Sequence, residues 1–134
     1  MAKQRQKVLY MDDDPDHQTL VRTALSHYAG YQVVCAANGV EGLAMARAER
    51  PDVILMDIMM PELDGLSVMA RIQQDAELRG IPVVFLTARA LHSDIERGMA
   101  AGARDYVTKP FDALGLARRL ANILNGTSQY AAAV

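Results

Sequence analysis

Four short apolar runs in this chain each end on a polar residue, and that repeated pattern narrows the possible folds sharply. Val8-Leu9-Tyr10-Met11 runs into Asp12-Asp13, and Val53-Ile54-Leu55-Met56 into Asp57. Val83-Val84-Phe85-Leu86 runs into Thr87, and Tyr106-Val107-Thr108 into Lys109. Helical patterns fill the intervals. Runs that are apolar on both faces and alternate with helices predict parallel strands covered on each side. Parallel strands would collect the residues that end them at one edge of the sheet, the carboxyl edge, where open α/β sheets bind ligands.

The predicted helices have legible ends. Asp14-Pro15 reads as an N-cap followed by proline at the first helical position, with Gly30 as the stop. Leu20, Val21, Ala24, Leu25 and Tyr28 recur between them at helical spacing. Gln32 to Ala36 is expected to form a second strand, and Asn38-Gly39 to open a helix with Val40, Leu43 and Ala44 on one face. The third strand is expected over Asp52 to Met56. Met59 to Gly65 reads as a loop into a helix with Leu66, Met69 and Ile72 inward. Pro82 opens the fourth strand, a helix runs from about Leu91 to Ala101, and Asp105 to Thr108 makes the last strand. A final helix from Asp112 buries Leu116, Leu120, Ile123 and Leu124. Five strands alternating with five helices imply one doubly wound parallel sheet of right-handed βαβ units, class α/β. Pattern alone does not give the strand order. The domain is expected over residues 1–126, with 127–134 as a loose tail.

Composition removes several functions. A chain of 134 residues, 51% hydrophobic, has room for one proper core. Fourteen basic residues against sixteen acidic ones, with no basic stripe, leave no footprint for nucleic acid or a membrane surface. No apolar stretch is long enough to span a bilayer, and MAKQRQK has no apolar segment of a secretory leader. The only cysteine, Cys35, lies in an apolar run and is expected to be a buried structural thiol. A disulfide scaffold is excluded, and a reducing cytoplasm fits.

The residues at the rim have a chemistry of their own. Asp57 would neighbour Asp12 and Asp13 if the first and third strands pair. Three carboxylates so close need a cation or a proton, unless the pair is simply an acidic, solvated turn. An oxygen-only ligand set favours magnesium over zinc. Lys109 could pair with Asp57 or clamp a phosphoryl oxygen as a mobile point charge, and its bond to Pro110 is of the kind that can be cis. Thr87 offers a short hydroxyl, or merely a structural strand end. Ala88 leaves room for an incoming group.

At this spacing the residues resemble the receiver domain of two-component response regulators, over about residues 6 to 125. The resemblance rests on Asp12-Asp13, on Asp57 within Leu-Met-Asp-Ile-Met-Met-Pro-Glu-Leu-Asp-Gly, on Thr87-Ala88, and on Lys109-Pro110-Phe111. It implies a flavodoxin-like sheet of order 2-1-3-4-5. It also implies Asp57 as phosphoacceptor, with magnesium held directly by Asp13, through water by Asp12, and by the Met59 carbonyl. Lys109 would stabilise the acyl phosphate, Thr87 would report it, and Tyr106 would be the switch aromatic. Met59, Ala88 and Arg89 would modulate the phosphoryl pocket. The implied donor is a histidine kinase or histidine phosphotransfer protein, docking on the first helix near His17, Leu20 and Val21. The implied output is a downstream protein or a second copy on the face of the fourth helix, fifth strand and last helix. The domain would be a signalling switch rather than an enzyme with a substrate.

Two other readings stand beside this one. A receiver could serve as a docking or dimerisation module that is never phosphorylated. An aspartyl-phosphate phosphatase of the haloacid dehalogenase class is mimicked by Asp12-x-Asp14, but Pro15 breaks its motif and there is no cap insertion. His17, His27 and His92 lack metal-ligand spacing and are expected to be surface or core residues.

Overall fold

The computed structural model describes residues 6–126. The elements run β1 (Lys7–Met11), α1 (Pro15–Ala29), β2 (Gln32–Ala36), α2 (Gly39–Glu49) and β3 (Val53–Met56). They continue α3 (Gly65–Gln74), β4 (Val83–Thr87), α4 (His92–Ala100), β5 (Asp105–Thr108) and α5 (Ala113–Leu124). All five strands pair in parallel, in the order β2-β1-β3-β4-β5. This is the flavodoxin-like order. The expected loose tail, 127–134, lies outside the described residues.

Several helices start on a polar side chain that takes an otherwise unpaired N–H. Asp14 accepts from the Asp16 amide, Asn38 from Glu41, Asp64 from Ser67 and Asp112 from Gly115, at 2.8–2.9 Å. Each such cap is worth about 1 kcal/mol. Each also fixes a loop that leaves the carboxyl edge of the sheet. Gly30 closes α1 at φ 66°, a backbone conformation that costs glycine little.

Strand side chains alternate between the two faces, and the core follows that alternation. Leu9, Met11, Ile54, Met56, Phe85 and Tyr106 pack on one face with Leu43, Val68, Met69 and Ile72. Val8, Tyr10, Val53, Leu55, Val84, Leu86 and Val107 pack on the other with Val21, Leu25, Leu116 and Leu120. Continuing the alternation sends Asp12, Asp57 and Lys109 toward α1 and α5. Thr87 and Tyr106 point toward α4. The rim therefore has two sides.

The helical faces differ from the predicted ones at several positions. α1 buries Val21, Ala24 and Leu25, while Leu20 and Tyr28 are exposed. The sheet and α5 cover only a narrow stripe of α1, and these two residues lie beyond it. Val40 and Ala44, expected inward on α2, face solvent, and Gly39, Gly42, Leu43 and Ala46 face in. Gly42 lies against Met11 so closely that a Cβ there would collide with the sulfur, so the glycine side of α2 must meet the sheet. In α3 Leu66 is only half-buried and Val68 takes a core place. Cys35 is half-buried, not fully buried, because β2 is an edge strand; desolvation still pushes its thiol pKa up.

Candidate functional site

The site begins with strand register. Met11 on β1 lies opposite Met56 on β3, so the residues that follow, Asp12 and Asp57, come side by side. The ladder continues past the strand ends: the Asp57 amide donates to Met11 O and the Asp12 amide to Ala36 O, both at 3.0 Å. From the far side of the sheet, the Lys109 amide donates to Thr87 O at 2.8 Å, fixing the start of the loop after β5. The Lys109–Pro110 bond is cis. The Lys109 side chain then crosses the edge. Its Nζ lies 2.7 Å from Asp12 Oδ2 and 3.0 Å from Asp57 Oδ2. The three side chains are 1%, 9% and 11% exposed for Asp12, Asp57 and Lys109, so the charges meet with little water between them.

Burial alone would raise the Asp12 pKa. Hydrogen bonds from Lys109, the Tyr10 hydroxyl and the Asp14 amide outweigh that and hold it below the ordinary carboxylate value. Burial would likewise lower the Lys109 pKa, yet its bonds to Asp12 and Asp57 raise it. Tyr10, fully buried and donating to Asp12, has its pKa pushed well up, first by burial and then by that bond. The ammonium is therefore the fixed counter-ion of a buried carboxylate pair.

The donor set around this pair suits a small oxygen-seeking cation. Asp12 and Asp57 already converge on one positive charge, Asp13 stands exposed beside them, and the Met59 amide donates to Asp57 Oδ1 at 2.9 Å. Among the described residues no group of three acidic or histidine side chains is gathered closely enough to hold a metal by itself. Magnesium tolerates that, because it takes one or two carboxylates and keeps several waters.

Thr87 is fully buried, its Oγ1 accepting from the Arg89 amide at 3.3 Å. The Tyr106 ring packs 5.9 Å from Phe85 and its hydroxyl donates to Arg89 O at 2.6 Å. Gly98 on α4 makes that packing possible, since a Cβ there would lie 2.9 Å from the Tyr106 ring. The loop carrying Ala88 and Arg89 is thus tied to Thr87 at one end and to β5 at the other. The Arg89 guanidinium stands half-exposed, 3.5 Å from Asp94 Oδ1.

The family model of the response regulator receiver domain matches residues 8–121. The chain belongs to this family. Among curated relatives, Protein PilH of Pseudomonas aeruginosa is 41% identical over 120 residues, 90% of this chain and 98% of that protein. Several transcriptional regulators match at 36–41% identity, and the chain spans about half of their length. Among solved structures, the chemotaxis protein CheY4 of Vibrio cholerae superposes with a TM-score of 0.83 at 32% identity, over 90% of this chain and 99% of that one. The receiver domain of the P. aeruginosa sensor histidine kinase PA1611 gives 0.81 at 35% identity, over 92% and 100%. That structure holds a magnesium ion in its active-site cleft.

The receiver domain brings Asp12, Asp57 and Lys109 into direct contact, leaves Asp13 and Met59 at the lip, and sets Thr87 and Tyr106 on the opposite face of the sheet. Three groups escaped sequence reading. Tyr10 was read only as part of an apolar run, although its place two residues before Asp12 puts both on one face. His17 lacks metal-ligand spacing and reads from sequence as part of the partner-docking contact alone, yet its Nδ1 lies 2.9 Å from Lys109 Nζ. Asp105 is fully buried and held by Arg119 through two bonds of 2.8 and 2.9 Å, a pairing across fourteen residues with no local signature. No helix among the described residues is long and apolar enough to cross a membrane.

Proposed function

We propose that this receiver domain is a magnesium-dependent phosphoryl switch with Asp57 as acceptor. The observation that carries the reading is the Lys109 ammonium shared between Asp12 and Asp57 at the carboxyl edge of the sheet. A phosphoryl group needs positioning and charge neutralisation more than covalent help. The Asp57 carboxylate attacks phosphorus; the new O–P bond forms as the donor's N–P bond breaks. The electron pair stays on the donor's imidazole nitrogen, which takes up a proton and leaves neutral. Hydrolysis later breaks the acyl O–P bond with water, returning the carboxylate and inorganic phosphate. Magnesium, held by Asp12, Asp13, Asp57 and the Met59 carbonyl, would supply charge neutralisation at the phosphoryl oxygens.

The chain's own residues do the rest. Lys109 sits near enough to Asp57 to follow a charge that grows on the transferred group. Buried Thr87 offers its hydroxyl from the α4 side, and Ala88 adds no bulk beyond a methyl. Drawing Thr87 toward the phosphoryl group would pull the Ala88–Arg89 loop, and with it the carbonyl that holds Tyr106. The altered face is α4, β5 and α5, which would meet a downstream protein or a second copy. The donor, a histidine kinase or phosphotransfer protein, would approach over α1. Shifting a one-per-cent active population to ninety-nine requires about 5.5 kcal/mol of preference, within reach of a dianion held by magnesium, Lys109 and Thr87.

Intact-mass measurement with acetyl phosphate tests the reading. Wild type with magnesium should gain one phosphoryl mass, and neither Asp57→Asn nor magnesium-free wild type should. An unmodified wild type with acetyl phosphate and with a phosphohistidine donor would leave the docking-module reading in its place.

A further inference from the structure

We infer that His17 is a positioning residue for Lys109, a role that rests on the phosphoacceptor reading of the same site. An ammonium has three N–H donors and no acceptor. Lys109 Nζ has three acceptors within bonding distance: Asp12 Oδ2 at 2.7 Å, His17 Nδ1 at 2.9 Å and Asp57 Oδ2 at 3.0 Å. Because the lysine can only donate, the nitrogen that faces it presents a lone pair. His17 Nδ1 also lies 3.4 Å from Asp12 Oδ2 and 3.6 Å from Asp14 Oδ2. The ammonium is its nearest partner of the three.

The three acceptors have different fates in the reaction. Asp57 becomes an acyl phosphate, and Asp12 is claimed by the metal site. His17 alone takes no part in the chemistry, so it is the acceptor that stays constant. A lysine side chain has four rotatable bonds and a strongly hydrated head. With Asp12 drawn to the metal site, His17 and the not yet phosphorylated Asp57 are the acceptors that keep the ammonium from turning outward to water before the phosphoryl group arrives. A neutral acceptor restrains it without competing for its charge. The placement is built by the fold: Asp14 caps α1 and Pro15 opens it, which sets His17 in the first turn, above the carboxyl edge. Its side chain is 38% exposed, so replacing it removes little packing.

The test uses the whole chain. His17→Leu should lower the phosphorylation rate at saturating phosphoramidate about three- to ten-fold, well short of the roughly hundredfold cost of a 1 Å misplacement. The donor concentration for half-maximal rate should barely move. His17→Gln, which restores an acceptor oxygen, should recover most of the loss, whereas a purely structural role would leave both variants alike. A second readout needs no phosphate: the 1H–15N signal of the Lys109 ammonium in the presence of magnesium, where Asp12 is drawn to the metal site. Slow exchange is expected in wild type and His17→Gln, and fast exchange in His17→Leu. Equal rates, or an ammonium equally fast-exchanging in wild type and His17→Leu, overturn the inference. If wild type takes up no phosphate at all, the phosphoacceptor reading has failed, and the ammonium signal by itself decides whether His17 holds Lys109.

Discussion

Replacing Lys109 with methionine removes the charge that lets two buried carboxylates coexist. Asp12 Oδ2 and Asp57 Oδ2 both touch the same nitrogen, at 2.7 and 3.0 Å. They are therefore within about 6 Å of each other, which at an effective dielectric of 20 corresponds to a repulsion of about 3 kcal/mol. Methionine keeps most of the packing, so the loss should come from charge. We expect Lys109→Met to be destabilised by about 2–3 kcal/mol near pH 7, at the low end of what breaking a buried pair costs, because this site opens to water. The sign with pH follows. In the variant one of the pair is pushed toward its protonated form, so the penalty is full at neutral pH and relaxes as acid supplies that proton. The deficit should shrink by about half between pH 7 and pH 5. Urea unfolding at both pH values, with an unchanged slope, measures it. Asp57→Asn in the same background should recover most of the loss, since the two sites are in contact and not additive. A Lys109→Met variant as stable as wild type, or equally destabilised at both pH values and not rescued by Asp57→Asn, would refute the reasoning.

Three further outcomes are expected. Met59 cannot hydrogen-bond an attacking water and its side chain is exposed at the lip, so Met59→Asn should shorten the lifetime of the phosphoform several-fold; a longer lifetime would contradict this role. The raised pKa of Tyr10 contributes stability that is intact below about pH 10, where an unfolded tyrosine ionises, and is lost above it. Tyr10→Phe should therefore flatten the alkaline limb of the stability profile, read by thermal melting between about pH 8 and pH 11. Arg119→Met takes the counter-charge from the fully buried Asp105 carboxylate, which keeps the bond from the Tyr106 amide at 2.8 Å, and should cost about 2–3 kcal/mol in urea unfolding; a variant within 0.5 kcal/mol of wild type, about the scatter of ordinary surface substitutions, would show that water replaces the arginine.

The strand ends were readable because their signal is local. Apolar runs of three or four residues that stop on Asp, Thr or Lys need no tertiary information, and the cap residues Asp14, Asn38, Asp64 and Asp112 act within three residues of themselves. Helical faces were less readable. Leu20, Tyr28, Val40 and Ala44 all have apolar side chains at helical spacing, yet each faces solvent. Which stripe is buried depends on the neighbour, and the collision a side chain at Gly42 would make with Met11 decides it for α2. Tyr10 shows the opposite error. Its aromatic ring reads as core, and the ring is core, but its hydroxyl belongs to the site.

The sequence by itself determined the alternation of strands and helices, and hence that Asp12, Asp57, Thr87 and Lys109 would share one edge, because a strand's direction and its last residue are local properties. The tertiary structure decided which of them touch. Register between β1 and β3 set Asp12 beside Asp57, and side-chain parity sent Thr87 and Tyr106 to the α4 face. Only the folded loop after β5 could bring Lys109 onto two carboxylates 97 and 52 residues away and place His17 against it. Contacts over such separations depend on how the whole sheet closes, and no window of sequence contains that information.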